Sequence, residues 1–192
     1  MEPRQAATVV LLRAVAGTAA GRGGFEVFVL RRVPTMVFAA GMTVFPGGAR
    51  EDGDPHLAAT AIRELFEETG VQLPASELVP WARWVTPEGE PRRYDTYFFV
   101  AELPAGAEPA ARGTEMDAVA WLSPARALAD YERGDLPMMA PTVITLRELA
   151  AFADVASVLA GASGRALDPI RPRILDDEEG IRLELPGGEV FG

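Results

Sequence analysis

Apolar runs and polar breaks divide the chain into short strands and a few helices. Residues 7–15 (ATVVLLRAV) form a nearly unbroken apolar run of the length expected for a buried strand. A Gly/Ala turn at 17–24 and a second apolar run at 25–32 (FEVFVLRR) predict a hairpin. After an irregular stretch at 34–41, residues 42–45 read as a strand that feeds Pro46, Gly47 and Gly48. Aromatic and β-branched residues predict strands over 78–86 (LVPWARWVT) and 92–102 (RRYDTYFFVAE), with a turn at 87–91 between them. An Ala/Pro/Gly loop at 105–112 leads to another strand at 115–122 (EMDAVAWL).

Helical spacing appears in three places. Asp54 followed by Pro55 reads as an N-cap with proline at N1, opening a helix that ends at Gly70, a fitting C′ residue. On that helix Ala58, Ile62, Leu65, Phe66 and Thr69 are available to face a core. Ser123-Pro124 opens a helix over 125–131, and residues 141–159 form a longer helical pattern with a break at Asp154. Residues 161–164 read as a joint, and 170–174 with 181–185 as a terminal hairpin turning at 176–180. Strands around one helix, then more strands and later helices, predict an α/β (α+β) sandwich on a mixed sheet. The expected division is a domain over 1–135 and, packed on it, an extension over 136–192 of helix and hairpin.

Composition narrows the chemistry. The chain has 192 residues, enough to bury a real core, with 48% hydrophobic and 24% charged residues. It has no cysteine, so disulfides, thiolate metal sites and cysteine nucleophiles are excluded. Its one histidine, His56, reads as a surface residue at a helix start. All 18 basic residues are arginine, which excludes Schiff-base lysines and a P-loop lysine. A net charge of −10 argues against nucleic acid as a partner. With no signal-peptide layout and no apolar run of membrane length, a cytoplasmic protein without a membrane partner is expected.

The chemistry concentrates in FPGGAREDGDPHLAATAIRELFEETGV, residues 45–71. Glu64, Glu67 and Glu68 lie three and four apart, on one helical face. Like charges at i,i+4 cost roughly 0.2–0.5 kcal/mol per pair, and carboxylates in the last turn oppose the helix dipole at roughly 0.3–1 kcal/mol each. Arg63 can pair with Glu67 and offset part of this. A hard divalent cation such as Mg²⁺ or Mn²⁺ would offset the rest, and the alternative is a solvated acidic face.

The spacing from Gly48 through Arg63-Glu64-Leu65, Glu67-Glu68 and Gly70-Val71 resembles the Nudix box, G-x5-E-x7-R-E-U-x-E-E-x-G-U, where U is apolar. The run R-E-L-F-E-E-T-G-V matches at all seven of its specified positions. The box's first acid departs from the pattern: counting forward from Gly48 gives Asp54, counting back from Arg63 gives Pro55, so the loop is one residue longer. Capping is the expected role of Asp54, with Glu51 or Asp54 as an outer-shell acid the alternative.

The resemblance covers residues 7 to about 132 and implies an α/β/α sandwich. It implies a pyrophosphohydrolase that uses Mg²⁺ or Mn²⁺ to cleave a nucleoside diphosphate linked to another moiety. Glu64, Glu67 and Glu68 would hold metal with the Gly48 carbonyl, and Arg63 would orient the glutamates. Glu67 and Glu68 would also serve catalysis, and Glu115 would be a further ligand or base. Arg83, Arg92 and Arg93 are candidates to grip phosphate; pairing with Glu88, Glu90 and Asp95 is the rival role. The long loop resembles the coenzyme A diphosphatase branch, G-G-x-x-D-x-x-D; Arg32 and Gly41 fit that branch's upstream segment, whereas Val37, Ala39 and Met42 do not. Coenzyme A or acyl-CoA, ADP-ribose and similar compounds are therefore the expected small-molecule partners. A catalytically weak nucleotide-sensing module is the alternative function, and a lid or a homodimer contact the alternatives for the extension.

Overall fold

The computed structural model describes residues 2–17, 24–35, 39–177 and 180–191. The centre is strand β1, Arg4–Val15, which pairs in parallel with β6, Tyr94–Glu102, along nine residues. Strand β5, Val79–Val85, adds antiparallel to β6 at the outer edge. On its other side β1 pairs with β2, Gly24–Arg32, only from Leu12 to Val15, after which the two strands diverge. The gap is filled by β3, Thr43–Val44, on β2 and by β4, Gly47–Ala49, on β1. Strand β7, Met116–Leu122, closes the far side of β2. The Pro-Gly-Gly stretch is thus a short strand inserted in the sheet and not a plain turn.

Both faces of β1 are covered, which explains its unbroken apolar sequence. Ala7, Val9 and Leu11 meet helix α1, Leu57–Thr69, through Ala61 and Leu65. Val10 and Leu12 belong to the opposite core, with Trp81, Phe98 and Val100 of the sheet. That face carries helices α2, Pro124–Glu132; α3, Ala140–Leu149; and α4, Val155–Ala162. The result is an α/β/α sandwich. Val143, Leu146, Leu149 and Val158 share one hydrophobic cluster with residues of β1, β2 and β5.

Three local expectations are corrected. Helix α1 starts at Leu57, and its cap is His56, whose Nδ1 accepts from Ala59 N–H at 3.1 Å. Asp54 does not cap it, because its carboxylate is bound elsewhere. Phe66 is not a core residue; it is 40% exposed and lies under the Arg112 guanidinium, 5.5 Å from the ring centroid. Gly161 is no joint: it sits inside α4, where a Cβ would meet the Phe152 ring at 2.5 Å. The predicted break at Asp154 is a capping box, with Ser157 N–H donating to Asp154 Oδ1 at 2.8 Å and Asp154 N–H to Ser157 Oγ at 3.2 Å.

Ile170 docks on β5, donating to Arg83 O at 2.8 Å and accepting from Val85 N–H at 2.9 Å, so the terminal hairpin starts later than expected. Strands β8, Arg173–Asp177; β9, Gly180–Glu184; and β10, Val190–Phe191 form a separate antiparallel sheet. The turn expected at 17–24, much of the stretch at 34–41 and the hairpin turn at 176–180 lie partly outside the described residues. Among the described residues no helix is long and apolar enough to cross a membrane.

Candidate active site

Helix α1 crosses β1 and β4 so that its acidic face meets the Gly47-Gly48 backbone. Gly47 N–H donates to Glu68 Oε2 at 2.9 Å. Gly48 allows the contact with Glu64: a Cβ there would stand 2.5 Å from Glu64 Cδ and 2.7 Å from Oε2. Glycine is needed for the close approach of helix and strand rather than for a left-handed turn. Gly70, with φ 77°, then ends the helix and donates to Phe66 O at 2.8 Å.

Arg63 is the hub. Its Nε and Nη2 donate to Asp54 at 3.2 and 3.0 Å, and Nη2 also to Ala49 O at 3.0 Å. Nη1 reaches Glu64 Oε1 at 3.0 Å and Glu67 Oε2 at 3.1 Å. One guanidinium therefore ties loop, strand and two glutamates together, as its five fixed donors permit. Asp54 is 7% exposed and also accepts from Thr60 Oγ1 and Glu51 N–H, each at 3.0 Å. Arg63 above all holds its carboxyl down to about 2, against the effect of burial. The residue counted forward to the box's first acid thus serves Arg63.

The glutamates differ in environment. Burial pushes the Glu64 carboxyl up, with Arg63 pulling the other way. Burial pushes Glu68 up to about 8; the Gly47 N–H and Arg32 oppose this, and Glu64 and Glu115 add to it. Glu67 is 55% exposed and pairs with Arg63. Glu115, 60% exposed, meets Arg32 Nη2 at 3.4 Å, and its backbone carbonyl accepts from Val33 N–H at 2.9 Å. Its charge and that of Arg32 are both felt at Glu68, so the structure brings Glu115 to the acidic face.

Among the described residues no three acidic or histidine side chains converge as a cation cage, and Glu64 and Glu67 each turn one oxygen to Arg63. The donor set nonetheless fits a hard divalent ion: among the described residues, the second carboxylate oxygens of Glu64, Glu67 and Glu68 accept no hydrogen bond. The substrate-gripping candidates are placed differently. Arg83 donates to Asp95 at 2.8 and 2.7 Å and stacks over Tyr97, the pairing that was the rival role to a phosphate grip. Arg93 Nε donates to Thr86 O at 3.1 Å, and Arg92 is exposed. Sequence reasoning missed Asp54 as partner of Arg63, and Arg32 as partner of Glu115; neither spacing carries a signal, since folding alone brings those residues together.

Comparison with known proteins agrees with this geometry. The model of the NUDIX domain matches residues 3–141, and the chain belongs to the NUDIX family. It is similar to the acyl-coenzyme A diphosphatase NUDT19 of Xenopus laevis, 30% identical over 121 residues, covering 59% of this chain and 32% of that protein. The Homo sapiens protein of the same name is 30% identical over 116 residues, covering 58% and 31%. The chain thus matches about a third of the length of these relatives. Among solved structures, a NUDIX hydrolase from Alicyclobacillus acidocaldarius superposes with a TM-score of 0.70 at 27% identity, covering 83% of this chain and 96% of that one. An Ap4A hydrolase from C. elegans superposes with a TM-score of 0.58 at 18% identity, covering 82% and 98%, and shares the fold.

Proposed function

We propose that this chain hydrolyses the diphosphate bond of a nucleoside diphosphate joined to a second moiety, using Mg²⁺ or Mn²⁺, with coenzyme A or acyl-CoA as the first substrate class to test. The observation that carries this is the seating of two half-buried glutamates, Glu64 and Glu68, on the Gly47-Gly48 backbone. Two carboxylates one helical turn apart in that setting repel each other and lose hydration, and a divalent cation is the natural compensation. The names of the curated relatives support the substrate class.

In this reading Glu64, Glu67 and Glu68 would hold the metal, with the Gly48 carbonyl as a further oxygen donor. The ion, when bound, neutralises diphosphate oxygens and makes water a better nucleophile. Arg63 fixes the direction of Glu64 and Glu67, and Asp54 fixes Arg63. Glu115 is the acceptor we assign for the proton of the attacking water. The water oxygen bonds to one phosphorus as the bridging P–O bond breaks, and the second phosphate leaves with its moiety.

The test is product analysis with Mg²⁺ or Mn²⁺ over coenzyme A, acyl-CoA, ADP-ribose, nucleotide sugars and dinucleoside polyphosphates. Cleavage of at least one compound, lost in chelator and in Glu68→Gln, is expected. Full activity of Glu68→Gln would remove the role given to this cluster.

A further inference from the structure

The loop between β6 and β7 leads to Glu115, and it is fastened to the end of α1. Ala110 N–H donates to Thr69 O at 3.1 Å, and Arg112 N–H donates to Glu68 O at 2.9 Å. The last carbonyls of a helix have no partner within it, and here the loop satisfies two of them. The Arg112 guanidinium adds a side-chain contact, lying over the Phe66 ring with Cζ 5.5 Å from the centroid. A Cβ on Gly70 would collide with that guanidinium. Glycine there both takes the left-handed φ of 77° and leaves Arg112 its place against the helix end.

The charge of Arg112 is not spent on a carboxylate. Glu67 pairs with Arg63 and Glu115 with Arg32, and among the described residues Arg112 enters no ion pair. The last turn of α1 contains Glu67 and Glu68 but no basic residue. A cation at the C-terminal end of a helix is favoured by the dipole, and one over an aromatic face by the ring quadrupole. Arg112 meets both conditions with one group. It also gives Phe66, 40% exposed, a task outside the core.

Glu115 follows Arg112 by three residues. Just beyond it the chain is fixed again: Val33 N–H donates to Glu115 O at 2.9 Å, and Met116, 7% exposed, enters the core under α1. The Glu115 side chain is 60% exposed, so the backbone on either side sets where it stands. On the side of Arg112, that backbone is bonded to Glu68 itself. We propose that Arg112 is a positioning residue: its guanidinium, seated on Phe66 and Gly70, clamps the β6–β7 loop to α1 and so keeps the Glu115 carboxylate at a fixed place relative to Glu68. This rests on the diphosphate-hydrolase reading for the reaction it serves, while the clamp belongs to the folded chain without metal or substrate.

The experiment compares the whole chain with Arg112→Ala, Arg112→Lys and Phe66→Leu. It reads amide hydrogen exchange over residues 108–115 without metal, and kcat and KM on whichever diphosphate the wild type cleaves. Arg112→Ala and Phe66→Leu should each speed exchange at positions 110 and 112 roughly two- to fivefold, the effect of one exposed cation–π contact, at an unchanged melting temperature. In Arg112→Ala kcat should fall about tenfold, short of the roughly 100-fold of a full 1 Å displacement, with KM within about twofold. Arg112→Lys keeps a cation over the ring and should restore most of the rate. In a Glu115→Gln background Arg112→Ala should cost little more, because it acts through Glu115. Unchanged exchange in Arg112→Ala overturns the proposal, as does faster exchange at wild-type kcat, or an undiminished further loss in the Glu115→Gln background. A lowered melting temperature with protection lost across the whole sheet marks a merely structural role and overturns it too. Faster exchange as expected, but no cleavage of any diphosphate by the wild type, supports the clamp and counts against the hydrolase reading alone.

Discussion

Gly48→Ala separates a functional contact from a structural one. The added methyl would stand 2.5 Å from Glu64 Cδ, where ordinary contact begins at 3.4 Å, so the carboxylate must retreat by about 1 Å. What it meets is the far end of a flexible side chain, and Gly48 lies in a strand, where alanine is favoured by roughly 0.5–1 kcal/mol over glycine. Folding stability should therefore change by less than about 1 kcal/mol, a melting shift of a few degrees for a chain of this size. A displacement of about 1 Å at a catalytic group costs on the order of 100-fold in rate, or about 2.7 kcal/mol of barrier. Gly47→Ala is the control. Its methyl would meet backbone, Ala7 O at 2.5 Å and Thr8 Cα at 2.7 Å, and no flexible group can yield. That variant should lose at least about 1–3 kcal/mol of stability by overpacking. The assay pairs thermal melting with kcat on whichever diphosphate the wild type cleaves. Wild-type kcat in Gly48→Ala refutes the reasoning, as does a melting loss equal to that of Gly47→Ala.

Two further substitutions test the supporting structure. Asp54→Asn weakens the Arg63 pair inside the loop and should cost about 1.5–3 kcal/mol, the range for hydrogen bonds to charged groups. Because the folded Asp54 carboxyl is held at about 2, below its usual 3.8, its charged form stabilises the fold above pH 3.8 and that contribution fades as pH falls through about 2. The gap between wild type and Asp54→Asn in urea melts should thus stay level from pH 7 to 4 and shrink below it; a gap that widens with acid contradicts the pairing. Gly161→Ala sets helix propensity against packing inside α4, with opposite signs. A helix interior open to solvent would gain about 1 kcal/mol, whereas collision with the Phe152 ring should cost about 1–3 kcal/mol, read by thermal melting.

Legibility in the sequence followed the range of the interaction. Strand β1 was visible because an apolar run on a central strand reflects burial on both faces, and β5 and β6 were visible through their aromatic and β-branched residues. The Glu64-Glu67-Glu68 face and the role of Arg63 toward Glu67 follow from helical spacing alone, a local rule. Asp54 was misjudged for the same reason: Asp-Pro before a helix is locally a cap, but Arg63, nine residues on, competes for that carboxylate and wins with two hydrogen bonds. Gly161 failed likewise, since glycine reads as a joint until Phe152 folds against it. The insertion of β3 and β4 between diverging β1 and β2 has no sequence signature, because it depends on where two distant strands part. Arg83 was legible only as a choice between phosphate and Asp95, and cross-strand proximity decided it for Asp95.

The proposed hydrolysis requires that the glutamate face of α1 hold a divalent cation. The most direct measurement is electron paramagnetic resonance of free Mn²⁺ titrated with the protein, wild type against Glu68→Gln, with melting curves to show that both are folded. The wild type should remove Mn²⁺ from solution, and Glu68→Gln, equally folded, should leave it free. Equal Mn²⁺ uptake by the two proteins would contradict it.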